Sequence, residues 1–188
     1  MPDLTGNPDA VAFLLEQHRT IRRLMASVKD AAPAARAESF EPLVRLLAVH
    51  ETVEEMVIYP ALRRSAGEEG ERIGEERKAE EDAAKKLLAH LEQLDPASDE
   101  CLTVFTSFSA DVEAHAQAEE GEVFPLLART NDADELIGLG GRLQMAEGRA
   151  PTHPHRSAPE SAVGNMLVGP VVSMVDRVRD LFHDARRR

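Results

Sequence analysis

Residues 50–60 read HETVEEMVIYP, and residues 115–125 read HAQAEEGEVFP. Both segments run His-x-x-x-Glu-Glu, then apolar and aromatic residues, then a proline ten places after the histidine. Residues four apart on an α-helix lie about one turn apart and point the same way. His50 with Glu54, and His115 with Glu119, therefore each offer a nitrogen and an oxygen donor to one space. Two such helices facing each other bring together two imidazoles and two carboxylates. Carboxylates can bridge a pair of cations while imidazoles cap each one.

These donors fall on apolar stripes. His50 and Glu54 continue the row Leu43, Leu46, Leu47, which runs on through Val57 and Ala61. His115 and Glu119 continue the row Leu102, Phe105, Phe108, Val112, which runs on through Val123 and Leu126. A glutamate on a core-facing stripe is costly unless it is paired or metal-bound. One His-x-x-x-Glu on an acidic helix carries little information; the doubled motif with matched proline endings carries much more.

The same periodicity extends outward. Val11, Leu14, Leu15, His18, Ile21, Met25 and Val28 form one face of a first helix starting near Asp9. Pro33 marks a turn over 31–37. A second helix is expected over 38–64, with Pro60 set to kink or end it. Gly67 and Gly70 mark a break. A third helix is expected over 71–94, with Ala84, Leu87, Leu88, Leu91 and Leu94 as its face, stopped by Asp95-Pro96. The fourth follows Ser98 or Asp99 as cap and reaches about residue 129. Short connections between helices imply antiparallel neighbours. The expected fold is therefore all-α, an up-down-up-down four-helix bundle over residues 1–130.

His18 sits about a dozen residues before the first turn and His50 about a dozen after it. They should share a level, which makes His18 a candidate third imidazole donor. On the third helix the only histidine, His90, lies roughly 20 Å from that level and reads as a rim or surface residue. Glu80, Glu81 and Asp82 are at the right height. Asp82 should face solvent. Glu81 is the first choice for a donor and Glu80 is close behind, with a solvated acidic run as the competing reading.

Beyond residue 130 the pattern stops. Gly138, Gly140, Gly141 and Gly148 lead into APTHPHRSAPESAVGN, so 131–169 reads as a Pro/Gly/Ser-rich linker. His153 and His155 fall within it. Residues 170–188 form a short amphipathic helix pattern with Val171, Met174, Val175, Val178, Leu181 and Phe182, ending in Arg186, Arg187 and Arg188. Gly138–Gly141 is no phosphate loop, because no strand precedes it and no Lys-Ser/Thr follows.

Composition bounds the function. Of 188 residues, 34 are acidic and 22 are Lys or Arg, a formal net charge of −12. Phosphate binding needs a basic footprint, so nucleic acid is not an expected partner. Cys101 is the single cysteine, which excludes an intrachain disulfide and a thiolate metal cluster. No apolar run has the length of a membrane span and the N-terminus has no secretory pattern, so a cytoplasmic location is expected.

Over residues 10–129 the chain resembles the hemerythrin-like, or HHE cation-binding, family. His18, the His50/Glu54 pair with Tyr59-Pro60, and the His115/Glu119 pair with Phe124-Pro125 carry the resemblance. It implies a non-haem centre of two iron ions, bridged by Glu54, Glu119 and an oxo or hydroxo group. It also implies dioxygen, peroxide or nitric oxide as the small ligand, handled by an enzyme or by an iron- or oxygen-responsive module. Where the family usually has a histidine on the third helix, this chain offers Glu80, Glu81 and Asp82. An acidic donor there makes the centre harder and richer in oxygen. Tyr59 is placed to act as a neighbour of the centre or as a redox-active group. A metal-free helical bundle is the remaining alternative.

Overall fold

The computed structural model describes residues 8–91 and 93–148. Among them every regular element is helical, and no helix is long and apolar enough to cross a membrane. The first rod is α1 (Ala10–Asp30). The second comprises α2 (Arg36–Val53), a π-helical turn Glu54–Ile58, and the beginning of α3 (Tyr59–Leu91). The third is the remainder of α3. The fourth comprises α4 (Asp99–Ala118), a second π turn Glu119–Val123, and α5 (Phe124–Thr130). A further helix, α6 (Ala133–Glu147), follows.

The starts of these rods are set locally. Asp9 accepts from the Ala12 amide at 2.8 Å and Ser98 from the Cys101 amide at 3.0 Å. Each such cap satisfies an amide left over by the first turn and contributes about 1 kcal/mol. Buried Arg36 donates to the carbonyls of Pro96 and Ser98, which ties the start of the second rod to the turn between the third and fourth.

The second rod turns into the third at Gly67, whose φ of 59° and ψ of −132° lie where a side chain is strained. Gly67→Ala is expected to destabilise the protein by about 1–3 kcal/mol. Thermal melts should register this as a loss of several degrees; an unchanged melting temperature would show that the corner relaxes without cost.

Pro60 does not end the second helix, and Pro125 does not end the fourth. A proline has no N–H, and its ring crowds the carbonyl four residues back, here at Met56 and Gly121. The chain relieves this by widening one turn. The Tyr59 N–H donates to the Glu54 carbonyl and the Phe124 N–H to the Glu119 carbonyl, each five residues back. Each π turn thus begins at the glutamate of its motif.

The expected linker over 131–169 also needs correction. Residues 133–147 are α6, because Asp132 and Glu135 form a reciprocal capping box, with both hydrogen bonds at 2.9 Å. Gly140 then lets α6 approach the backbone of Pro8, Asp9 and Ala10, where a Cβ would have no room. Residues 149–169 and the helix expected over 170–188 lie outside the described residues.

The core comes in two parts. One gathers Leu14, Val53, Ile58, Leu62, Phe124, Leu127 and, from α6, Leu139 and Leu143. The other gathers Ile21, Met25, Leu43, Leu47, Leu88, Phe105 and Phe108. Each fully buried aliphatic or aromatic side chain contributes about 1.5–3 kcal/mol. Along the rods the expected donors fall near the change from one cluster to the other: His18 between Leu14 and Ile21, His50 and Glu54 beside Val49 and Val53 and between Leu47 and Ile58, Glu81 between Ile73 and Ala84, and His115 and Glu119 between Val112 and Val123.

Candidate metal centre

All four rods contribute to one buried polar cluster. His18 comes from α1, His50 from α2, Glu54 and Glu119 from the two π turns, Glu81 from α3 and His115 from α4. One ligand atom each from His18, His50, Glu54 and Glu119 lies within 4.8 Å of the others, and the same holds for Glu54, Glu81 and His115. The two groups share Glu54. Glu119 reaches toward both: its Oε2 is 3.2 Å from His18 Nε2 and its Oε1 is 3.6 Å from His115 Nε2.

The imidazoles are aimed inward by what holds their other nitrogen. His18 Nδ1 lies 2.8 Å from Glu120, which Arg22 pins at 2.9 Å. His50 Nδ1 lies 2.8 Å from the Gln17 side-chain oxygen. The Gln17 amide nitrogen in turn donates to Glu147 on α6 at 3.0 Å, which fixes the oxygen toward His50. His115 Nδ1 lies 3.0 Å from Glu80, which Arg77 holds at 2.9 Å. An acceptor at each Nδ1 puts the proton there and leaves Nε2 a lone pair facing the centre.

That arrangement is incomplete as protein alone. His18 Nε2 and His50 Nε2 stand 3.2 Å apart. With both Nδ1 atoms protonated, two lone pairs oppose each other, and a cation between them removes the conflict. Eight buried side-chain nitrogen or oxygen atoms among the described residues have no hydrogen-bond partner, and five of them are here: both Glu54 oxygens, Glu81 Oε2, His115 Nε2 and Glu119 Oε2. An unsatisfied buried polar atom costs about 1–3 kcal/mol. Their concentration in one place, on donors of metal-ligand type, fits a bound cation pair.

The electrostatics agree. Burial and the neighbouring carboxylates Glu119 and Glu81 push Glu54 well above the usual carboxylate range. Burial raises Glu81 to about 9, helped by Glu51. Burial also acts upward on Glu119, but His18, His115 and His50 outweigh it and hold that group low. Burial, with His18 close by as a smaller cause, drives His50 down to about 3, so its imidazole is neutral near pH 7. Burial and three surrounding carboxylates raise Tyr59 well above its ordinary value. Its hydroxyl lies 2.6 Å from Glu81 Oε1 and 3.1 Å from Glu119 Oε1, and its single proton serves one of them at a time.

The structure therefore brings together His18, His50, Glu54, Glu81, His115 and Glu119. Glu80 turns to His115 Nδ1 instead, Asp82 is exposed, and so is His90. Gln17, Glu120, Arg22, Arg77 and Lys85 escape sequence reasoning. Gln17 and Glu120 adjoin His18 and Glu119, yet only the tertiary structure shows which imidazole each one holds.

Residues 9–137 match the family model of the hemerythrin HHE cation binding domain. A hemerythrin-like protein of Schizosaccharomyces pombe is 23% identical over 170 residues, covering 90% of this chain and 84% of that protein. The crystal structure of a hemerythrin HHE cation binding domain-containing protein from Mycobacterium kansasii superposes with a TM-score of 0.68 at 22% identity, covering 89% of this chain and 99% of that one. That likeness shows a shared helical fold. With the match spanning most of its described length, the chain belongs to the hemerythrin HHE cation-binding domain family.

Proposed function

We propose that the protein is a cytoplasmic non-haem di-iron protein that reacts with or senses dioxygen, peroxide or nitric oxide. The carrying observation is the pair of donor groups that share Glu54 and contain the five orphaned buried atoms. In this reading His18, His50, Glu54 and Glu119 hold one iron. Glu54, Glu81 and His115, with Glu119 beside them, would hold the other. Bound iron supplies redox chemistry and coordination positions for a small ligand. The chain's own residues orient the donors, keep bulk water out and place the Tyr59 hydroxyl against the carboxylates. The ring of Phe124 stacks 5.4 Å from His18 and closes that side.

Glu80 has a separate role, which is to orient His115. Glu80→Gln removes the charge of the acceptor that fixes its tautomer. It should weaken iron binding about 10–100-fold while leaving the stoichiometry at saturation unchanged. Iron titration under anaerobic conditions checks this; loss of one equivalent at saturation would instead make Glu80 a ligand.

One observation favours the sensing version. His50 is joined through Gln17 to Glu147 on α6, so the orientation of an iron ligand is coupled to the helix that leads to the C-terminal residues. Peroxide disproportionation and nitric oxide consumption by the iron-loaded protein separate the versions. Turnover supports an enzyme. Single-turnover binding accompanied by altered proteolysis after residue 148 supports a sensor.

A further inference from the structure

Three charged clusters surround the buried donors, and they are built differently. On the His18 side, Arg22 grips Glu113 through two nitrogens at 2.8 and 3.0 Å and Glu120 at 2.9 Å. On the His115 side, Arg77 holds Glu80 at 2.9 Å, and Glu80 holds His115 at 3.0 Å. In each, an arginine nitrogen holds at 2.9 Å the carboxylate that faces a histidine, and that carboxylate is committed to it. The third cluster is loose. Lys85 Nζ lies 3.4 Å from Glu55, 3.6 Å from Glu51, 3.6 Å from Asp82 and 3.7 Å from Glu81. One compact ammonium faces four carboxylates from two rods and fully satisfies none of them.

These carboxylates form a graded path inward. Side-chain exposure falls from 71% at Asp82 to 44% at Glu55, 15% at Glu51 and 1% at Glu81. Glu81 belongs to both the path and the centre. Its Oε1 accepts from Tyr59, while its Oε2, buried and without a hydrogen-bond partner, turns toward Lys85. An orphaned buried oxygen at the inner end of a carboxylate series is a landing point for a cation.

We infer that the corner formed by Glu51, Glu55, Glu81 and Asp82 around Lys85 is the port through which a divalent cation enters and leaves the buried centre, with Lys85 as its removable plug. This rests on the metal-centre reading above. The exposed carboxylates concentrate cations at the surface by their field. Lys85 is a compact charge on a flexible stem, itself partly exposed, and it can swing to water without breaking a bidentate pair. An arriving cation then replaces its charge among the same oxygens and passes to Glu81. The arginine walls offer no such exchange, since opening either one releases the acceptor that orients a histidine.

The test uses the metal-free full chain and cobalt(II), followed by visible absorption during uptake and during removal by a chelator. Lys85→Met should speed uptake and release together, each by about tenfold, with the final cobalt content unchanged. Glu55→Gln with Asp82→Asn, both at exposed positions, should slow uptake several-fold, and added salt should narrow that difference. Lys29→Met, which removes a charge at the far end of α1, should load as wild type does. Wild-type uptake rates in both Lys85→Met and the double variant would overturn the port while leaving the centre standing. Equal acceleration in Lys29→Met would reduce the effect to net charge and overturn it as well. A wild-type protein that takes up no cobalt would overturn the centre and the port together.

Discussion

Glu54→Leu protein is expected to retain no iron after desalting and, in its metal-free form, to melt at a higher temperature than metal-free wild type. Both effects come from one side chain. Glu54 is common to the two donor groups, so its loss removes an oxygen from each. It is also fully buried with neither oxygen hydrogen-bonded, and it faces the second buried carboxylate, Glu119. Without metal, such a group costs about 1–3 kcal/mol, which an apolar side chain of similar size does not incur. At about 2–4 °C per kcal/mol for a chain of this size, the metal-free variant should gain several degrees. With iron present the order reverses, because only the wild type is stabilised. A Glu54→Leu protein that still holds iron, or that is less stable than metal-free wild type, would show Glu54 to be a structural core residue.

Chelation should produce the other large effect. In the proposed reading, iron would bind only the folded arrangement of six donors drawn from four rods. At a free iron concentration about a thousand times the dissociation constant, binding adds about 4 kcal/mol of stability. The melting temperature should then fall by roughly 10 °C on removal of the metal. The loss should be reversed by ferrous iron and absent from Glu54→Leu. A melt indifferent to chelator would show that metal adds nothing to the stability of the fold.

The contrast between these predictions follows from where the donors sit. Two apolar clusters, built from residues other than the donors, carry most of the buried core. The bundle can therefore form metal-free, with strain confined to the donor cluster. In the proposed reading, bound metal would relieve the crowding of imidazole nitrogens and carboxylates there.

Much of this was legible in the residues because helical spacing and burial speak together. His50, Glu54, His115 and Glu119 lie four apart on stripes that are otherwise apolar, and His18 follows from level counting on a neighbouring rod. Glu81 was the harder case. The phase of the third rod depends on how Gly67 turns the chain, which spacing alone does not show, and Glu80 and Glu81 are adjacent. Tertiary packing sends Glu81 inward to Tyr59 and Glu80 across to His115. Pro60 and Pro125 were visible as disruptions, but a proline permits an end, a kink or a widened turn, and only packing downstream selects the last. The glycines at 138, 140 and 141 argue against helix by propensity. A capping box at Asp132 and Glu135, and the close approach that Gly140 allows, outweigh that cost in α6.

Iron stoichiometry addresses the central claim most directly. Metal-free protein titrated with ferrous iron in the absence of oxygen, desalted and analysed for elemental iron should hold two ions per chain. The count should fall to none in Glu54→Leu and to one or fewer in His115→Ala. Wild-type protein that retains no iron under these conditions, or that binds it equally well after Glu54 and His115 are replaced, would contradict the assignment.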